Sequence, residues 1–378
     1  MEVAYAKGSY IYSTSGKKYL DLVAGVSACT LGHCPPQVTS AIKTQLDRYM
    51  HVMVYGEFAQ SPAVAFAELL AKNINIPQAK TYLVNSGTEA TEGALKLARR
   101  YTGRTEIIAA KNAYHGNTMG SLSLMGLEER KKPFEPLLPE VSFIRFNREE
   151  DLLKITSKTA CVMLETIQGG GGIIEPVNHY LKKVQQRCRQ TGTLLILDEI
   201  QPGFGRTGKL FGYEHYDVIP DIMTIGKGMA SGLPVGAFVA SAPVMDVLSQ
   251  NPEMSHLTTF GGNPVIASAS LATLKEVLHS DLMDQALIKE RLFRKLLQHP
   301  LITEIRGRGL MLGIILRSKE IADQLIMEAY RRGVILFWLL FEKRAARITP
   351  PLTISQAEIE EGCGTILEIL NDLEKRQC

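Results

Sequence analysis

Lys227 stands in the part of this 378-residue chain that most favours covalent chemistry. It lies between Gly226 and Gly228, directly after the short apolar run 221–225, which has the length of a buried strand. Most lysines in proteins are exposed to water. A lysine that loses its water at the end of a buried strand becomes a better nucleophile, because burial disfavours its charged form. The position therefore indicates an amine that can bond covalently to a carbonyl group.

A carboxylate occupies the corresponding place on a second apolar run. The run 193–197 ends at Asp198. A buried carboxylate is costly unless it meets a positive partner. A pyridinium N–H is one such partner, since an aspartate beside it keeps the ring nitrogen protonated and lets the ring withdraw electrons. The alternative is an aspartate that closes its strand against the backbone of the next loop, and Asp198 by itself does not decide between the two.

A third strand end could bind phosphate. The apolar residues 82–84 run through Asn85, Ser86 and Gly87 into a helical pattern that begins near Thr88. Free N–H groups and the helix dipole favour a phosphate at such a turn, and the Thr88 hydroxyl could add a donor. The alternative is a capping box, in which Ser86 pairs with Glu89 three residues later. A fourth run, 106–110, leads to Tyr114 and His115, which could stack on a flat ring or could simply pack.

Seven short apolar runs must position these groups. Helical patterns at 88–101 and 179–190 separate some of them, and this alternation predicts a mostly parallel sheet with helices on both faces. Parallel strands carry reactive groups at their carboxyl ends, so we expect the four sites to meet at one sheet edge. The runs are 81–84, 106–110, 141–146, 160–165, 193–198, 221–225 and 235–240.

The two ends of the chain have a different pattern. A hairpin is predicted from 9–12 and 18–22, followed by a helix at 36–48. After Asn263 we expect one long helix, strands within 304–316, and helices at 319–332 and 355–375. We predict that both ends fold together into a smaller α+β domain. The expected division is 1–50 and 265–378 for the small domain, with 51–264 as the large one.

The composition excludes several classes of function. The 42 basic and 39 acidic residues give a net charge of +3, which leaves no footprint for nucleic acid or an anionic membrane. No apolar stretch is long enough to span a bilayer, and the first residues lack a signal-peptide core. The six cysteines form no C-x-x-C pair, so we expect reduced thiols, no metal site and a cytoplasmic location. The glycine motif at 203–208 is not followed by a helical pattern and does not predict a dinucleotide site.

Four segments, taken together and in this order, resemble one known family. With them the chain resembles the class III (ornithine-type, subgroup II) aminotransferases, which use pyridoxal 5′-phosphate (PLP) and have the PLP-dependent transferase fold type I. The resemblance extends over nearly the whole chain and is closest to acetylornithine and ornithine aminotransferases. It implies an α/β fold whose seven-stranded sheet binds the cofactor. The segments are NSGTEA at 85–90, LDEIQ at 197–201, GKG at 226–228 and TFGGNP at 259–264.

The resemblance implies a role for each candidate residue. Lys227 would form the Schiff base with PLP and later shuttle a proton, and Asp198 would pair with the pyridine nitrogen. Arg347 would bind a substrate carboxylate through its bidentate fork. The remaining implied cofactor contacts are Ser86, Gly87 and Thr88 at the phosphate, Tyr114 and His115 beside the ring, Gln201 near the ring hydroxyl, Glu165 as support, and Thr259 from the partner subunit.

The family also implies partners and a reaction. It implies a homodimer with shared active sites and a ping-pong transfer from an amino donor to an oxo acid, usually 2-oxoglutarate. Two positions depart from the ornithine-type pattern: Gly170 stands where a glutamate is usual, and Asn117 stands where an arginine is usual. The donor is therefore open among acetylornithine, ornithine and another ω-amino acid, a β-amino acid or a diamine. A different PLP reaction on the same fold, or a non-enzymatic PLP-binding relative, is the wider alternative.

Overall fold

A computed structural model describes residues 1–376, so Cys378 and the last two positions of the predicted third segment lie outside the described residues. Within this range no helix is both long and apolar enough to cross a membrane. The strands are β1 Val3–Lys7, β2 Tyr10–Ser13, β3 Lys18–Asp21, β4 Ala79–Val84, β5 Glu106–Ala110, β6 Val141–Ile144, β7 Thr159–Glu165, β8 Leu194–Asp198, β9 Ile222–Gly226, β10 Gly236–Ser241, β11 Ile302–Arg308, β12 Met311–Leu316, β13 Val334–Ile335, β14 Phe337–Trp338 and β15 Ala345–Ile348.

The helices alternate with the strands in the middle of the chain. They are α1 Ala24–Ser27, α2 Pro36–Leu46, α3 Ser61–Lys72, α4 Gly87–Thr102, α5 Met119–Ser123, α6 Glu128–Lys131, α7 Tyr180–Thr191, α8 Ala242–Met245, α9 Pro264–His279, α10 Leu282–Leu296, α11 Lys319–Arg331 and α12 Gln356–Lys375. Short 3₁₀ helices occur at Lys132–Phe134, Glu149–Lys154, Gly212–Tyr216, Lys227–Ala230 and Asp246–Ser249.

The central sheet has seven strands in the order β4-β10-β9-β8-β7-β5-β6. The pairs β5–β6, β5–β7, β7–β8 and β8–β9 are parallel, whereas β10 is antiparallel to both of its neighbours. Every residue of β7, β8 and β9 is buried, as expected for parallel strands that are covered on both faces. The predicted seven-stranded, mostly parallel α/β sheet is confirmed.

Helices cover both faces of this sheet, as predicted. On one face, α4 packs Ala94 and Leu97 against β5 and β9 in a single apolar cluster. On the other face, α7 packs Val184 and Cys188 against the β8 side chains. Gly93 brings α4 close to the sheet, since a Cβ atom there would lie 2.3 Å from the Phe238 ring. This close packing fixes where α4 begins at its other end, next to the candidate phosphate turn.

Both ends of the chain contribute to the smaller sheets. One four-stranded sheet has the order β1-β2-β3-β13, in which the C-terminal strand β13 runs parallel to β3. A second sheet, β11-β12-β15-β14, holds Arg347 in its interior strand β15. Helix α12 packs on α10 and α11 beside these sheets. The boundaries of the two domains stay a prediction.

The predicted long helix after Asn263 was wrong. Two helices, α9 and α10, occupy this region, and the break falls at Ser280, whose backbone is extended. The Ser280 hydroxyl donates to the Glu276 carbonyl at 2.6 Å and so replaces the backbone donor there. Serine and aspartate favour helix ends because their short polar side chains compete for backbone groups. The pair Ser280 and Asp281 therefore stops the helix although the apolar pattern continues.

Candidate active site

A cavity of about 420 Å³ lies at the carboxyl ends of the parallel strands. It brings together groups that follow β4, β5, β7, β8 and β9, and it adds Arg347 from the second small sheet. This convergence is what the positions at strand ends predicted. The lining residues are Val26, Gly87, Thr88, Tyr114, His115, Gly116, Asn117, Glu165, Gly170, Asp198, Ile200, Gln201, Pro202, Lys227, Phe337, Trp338, Leu340 and Arg347.

Lys227 extends into this cavity from a constrained backbone. Its φ angle is +42°, a left-handed conformation that is unfavourable for a residue with a side chain and that often marks a functional site. Gly228 allows the close approach that holds the turn, since a Cβ there would lie 2.2 Å from the Thr30 hydroxyl. Burial lowers the pKa of Lys227, although the charge of Asp198 acts in the opposite direction. The amine is therefore more readily neutral than an exposed lysine.

Asp198 is held rigidly at the floor of the cavity. Its Oδ2 lies 2.7 Å from Nδ1 of His115, and its Oδ1 accepts a hydrogen bond from the Ile200 backbone at 3.0 Å. Both side chains are buried. Burial acts to lower the pKa of His115, but the hydrogen bond and charge of Asp198 outweigh it, and the pKa is raised. The imidazole thus orients the carboxylate, which still faces the cavity.

The start of α4 offers two free backbone donors. Ser86 accepts a hydrogen bond from the Glu89 N–H at 3.2 Å, so the predicted cap is present. The N–H groups of Gly87 and Thr88 make no hydrogen bond with any residue in 1–376. Such groups at the first turn of a 16-residue helix form an anion site. Cap and phosphate turn, the two alternatives for this segment, are therefore compatible, because each uses different N–H groups.

Hydroxyl groups surround the Thr88 side chain at the edge of this turn. Thr88 Oγ1 lies 2.8 Å from the Thr118 hydroxyl and 2.7 Å from the Ser121 hydroxyl. It also accepts hydrogen bonds from the Asn117 and Thr118 backbone N–H groups at 3.2 Å. Gly116 makes this contact possible, because a Cβ there would lie 2.3 Å from Thr88 Oγ1. The sequence analysis did not predict Thr118 or Ser121, whose proximity depends on the fold of the loop after β5.

Glu165 and Gln201 complete the polar wall. The Glu165 carboxyl accepts hydrogen bonds from the Tyr114 backbone at 3.2 Å and the Gly169 backbone at 3.0 Å. Burial raises the pKa of Glu165 to about 7. Gln201 donates to the Ser27 hydroxyl at 3.3 Å and so ties the cavity to the segment before it. Tyr114 is partly buried at the cavity wall, next to His115.

Arg347 is a buried cation without a counter-charge in contact. Only 4% of its surface is exposed, and its Nε and Nη1 atoms have no hydrogen-bond partner in the described part of the chain. Burial lowers the pKa of Arg347 to about 10, which leaves the guanidinium charged at neutral pH. A buried charge and unpaired N–H groups are both costly. An anion that entered the cavity would relieve both costs, and a carboxylate matches the guanidinium fork.

Comparison with known proteins identifies the chain. The family model "Aminotransferase class-III" matches residues 1–370. The chain belongs to the class III aminotransferase family. It is an aminotransferase, as the resemblance indicated. An acetylornithine aminotransferase of Caldanaerobacter subterraneus subsp. tengcongensis is 38% identical over 379 residues, covering 97% of this chain and 94% of that one.

Two further relatives widen the range of class III donors. A [LysW]-aminoadipate semialdehyde/glutamate semialdehyde transaminase of Sulfolobus acidocaldarius is 35% identical and covers 100% of this chain and 96% of its own. A solved ornithine aminotransferase of Toxoplasma gondii, described with partial occupancy of PLP at its active site, is 30% identical with a TM-score of 0.91. That comparison covers 100% of this chain and 92% of the other. The relatives share amino-group transfer but differ in donor.

The two departures from the ornithine-type pattern have different surroundings in this class III chain. Gly170 accepts a hydrogen bond from the Phe341 backbone at 3.0 Å, and a Cβ there would lie 3.1 Å from the Phe341 ring. A glutamate at this position would therefore have to displace an aromatic ring. Asn117 is exposed at the cavity rim and has room for a longer side chain. The first departure is built into the packing, whereas the second is a free choice of side chain.

Two predicted site residues lie outside the cavity wall of this class III chain. Ser86 caps α4 and is not among the residues that line the cavity. Thr259 is exposed and also absent from the lining. Its implied contact is with the cofactor of a partner subunit, so a single chain does not bring it there. Its role, like the other individual site roles, stays a prediction.

Proposed function

We propose that this aminotransferase moves an amino group from an ω-amino donor, with acetylornithine or ornithine first, to an oxo acid such as 2-oxoglutarate. The proposed reaction is ping-pong, with the nitrogen held on the cofactor between two half-reactions. One observation carries the proposal: Lys227, Asp198 and the open turn at Gly87 converge on one cavity that also contains the unpaired Arg347. The 38% identical acetylornithine aminotransferase supports the choice of donor.

The cofactor is pyridoxal 5′-phosphate, and the cavity residues fit it. When bound, PLP supplies an aldehyde carbon and an aromatic ring that withdraws electrons from the substrate carbon. The free N–H groups of Gly87 and Thr88 would hold the phosphate. The Asp198 carboxylate, fixed by His115, would hold the ring nitrogen in its protonated form. Tyr114 would lie against the ring, and Gln201 would lie near its hydroxyl.

Lys227 has two tasks in this proposal. Its amine would hold the cofactor covalently until the donor amine displaces it. Once released, its Nζ would remove the proton from the donor carbon that carries the nitrogen and return a proton in the next step. The pKa of Lys227, lowered by burial, favours the neutral amine that both tasks need.

Arg347 would bind a carboxylate in each half-reaction. The guanidinium has no carboxylate within contact in the described residues, so the oxo acid meets an available cation. Arg347→Ala is expected to raise the KM for 2-oxoglutarate by about 100-fold, because a bidentate ion pair is lost. Steady-state kinetics with a fixed donor would measure this effect. The matched control is Arg317→Ala, which removes an exposed arginine outside the cavity and should leave KM unchanged.

We also propose that the enzyme is a homodimer and acts in the cytoplasm. Exposed apolar side chains cluster in two neighbouring segments, and such patches mark contact surfaces. A cavity of about 780 Å³ opens between these segments, which also precede Thr259. The exposed residues include Met50, Met53, Tyr55, Phe58, Met254, Leu257 and Phe260. Sedimentation at micromolar concentration tests the assembly, and a monomer would contradict it.

An amino-donor screen tests the proposed reaction directly. Ornithine, N-acetylornithine, 4-aminobutyrate, lysine and putrescine are each supplied with 2-oxoglutarate, and glutamate formation is measured. Conversion of an ω-amino donor that depends on the oxo acid is the expected result. A product formed from the donor without any oxo acid would show a different PLP reaction on this fold. Failure of every donor with every oxo acid would contradict the proposal.

The phosphate turn offers a separate test in Gly236. A Cβ atom at Gly236 would lie 2.1 Å from the Ser86 carbonyl oxygen and 3.1 Å from the Gly87 nitrogen. Gly236→Ala is therefore expected to displace the turn and weaken PLP binding by about tenfold or more, since a buried backbone cannot yield easily. Titration of the apoenzyme with PLP measures the change. Gly364→Ala in α12, where no heavy atom lies within 4 Å, is the control and should bind PLP normally.

A further inference from the structure

Six consecutive apolar residues, Leu336–Phe341 in sequence LFWLLF, form one wall of the cavity. We call Phe337, Trp338 and Leu340, the three that line it, the apolar wall. Leu336 and Leu339 are 3% exposed and anchor the segment in the protein. Phe337 and Leu340, in contrast, are 49% and 38% exposed. Large apolar side chains held at the surface of a cavity indicate a binding surface rather than a core.

The register of the sheet places this wall beside the carboxylate-binding cation. Phe337 in β14 is the direct partner of Arg347 in β15, and paired residues point to the same face of a sheet. Trp338 is fixed in place because its Nε1 donates to the Asp323 carboxylate at 2.7 Å. A substrate whose carboxylate meets Arg347 therefore lays its carbon chain along fixed apolar side chains.

The cavity lacks a free carboxylate for a second ammonium group. Two acidic residues, Asp198 and Glu165, line it in the described chain. Asp198 is engaged by His115 and Ile200, as described above. Glu165 is engaged by two backbone N–H groups, and burial raises its pKa to about 7. Behind the wall, Asp323 is occupied by Trp338 and by an ion pair with Lys319 at 2.6 Å.

We propose that the apolar wall makes the enzyme select donors with a single ammonium group. The inference rests on the proposed function and refines it. Such a donor carries one reacting amine, an uncharged carbon body and a carboxylate for Arg347. A second ammonium would be desolvated against Phe337 and Leu340 without a counter-charge, which is costly. The N-acetylated form of ornithine fits this description, whereas free ornithine, lysine and putrescine do not.

Donor pairs that differ by one ammonium group test the selection. The pairs are 5-aminopentanoate with ornithine, and 6-aminohexanoate with lysine, each assayed with the holoenzyme and 2-oxoglutarate. The kcat/KM of the member with one ammonium should be at least about tenfold higher, mainly through KM. Calorimetry on the PLP-loaded Lys227→Ala variant should show the same order of binding without turnover. Equal use of both members would overturn the apolar wall but leave the proposed function intact.

A charge placed in the wall should reverse the preference. Phe337→Asp supplies the missing carboxylate at an exposed position and should shift the kcat/KM ratio by about tenfold toward ornithine. Leu153→Asp adds the same charge at a residue that is 75% exposed and outside the cavity, and should not shift it. Phe337→Ala should weaken 5-aminopentanoate without helping ornithine. An unchanged ratio in a folded Phe337→Asp enzyme overturns the inference, and failure of all ω-amino donors overturns the proposed function with it.

Discussion

Lys227→Ala should lower kcat/KM by at least about 10⁴-fold and remove the absorbance band of the covalently held cofactor. The amine both holds PLP and moves the proton in the proposed reaction, so its removal affects two steps. A methyl group in its place creates space in the cavity but disturbs no hydrogen bond among the described residues. The protein should therefore remain folded, which thermal unfolding would verify.

The control for this experiment is Lys209→Ala. Lys209 is exposed and outside the cavity, so its loss removes the same charge without the same chemistry. The band and the activity should both survive. A Lys227→Ala enzyme that kept the covalent band would show that another amine holds the cofactor, and the assignment of Lys227 would be wrong.

The second large effect is expected for Asp198→Asn, which should reduce kcat by about 10²–10³-fold. Asparagine keeps the size of the side chain and can still meet His115, but it carries no negative charge. The ring nitrogen of PLP would then be protonated less readily, and the ring would withdraw electrons less strongly. Steady-state kinetics gives the rate, and the cofactor content after dialysis shows whether binding is also weakened.

Glu165→Gln is the matched comparison for Asp198→Asn. Both carboxyls are buried in one cavity, but Glu165 holds backbone N–H groups and its pKa is raised to about 7 by burial. Removing its charge should therefore cost much less than removing that of Asp198. Similar losses for the two variants would indicate that any buried charge change disables the cavity, and the specific role of Asp198 would fail.

The sequence predicted the central sheet well because its strands are local signals. Each buried parallel strand is a nearly continuous apolar run, and β5 was predicted with both ends correct. The same strands pointed to Lys227 and Asp198, since a polar residue after an apolar run is visible without a structure. The break at Ser280 was missed because the apolar pattern continues across it.

Features that depend on contacts between distant segments could not be predicted. Arg347 was placed by family resemblance, but its unpaired Nε and Nη1 atoms depend on which groups surround it in the fold. The contact of Gly170 with the Phe341 ring joins positions 171 residues apart. The apolar run at 336–341 is visible in the sequence, yet only the β14–β15 register shows that it lies beside Arg347.

The strand β14 is two residues long and belongs to a different sheet from the groups proposed to hold PLP. Its side chains can therefore be exchanged without altering the parallel strands that carry Lys227 and Asp198. The segment from Leu336 to the turn before β15 is a natural site for loop grafting. Designed libraries restricted to it could yield enzymes with new amine donors on an unchanged catalytic core.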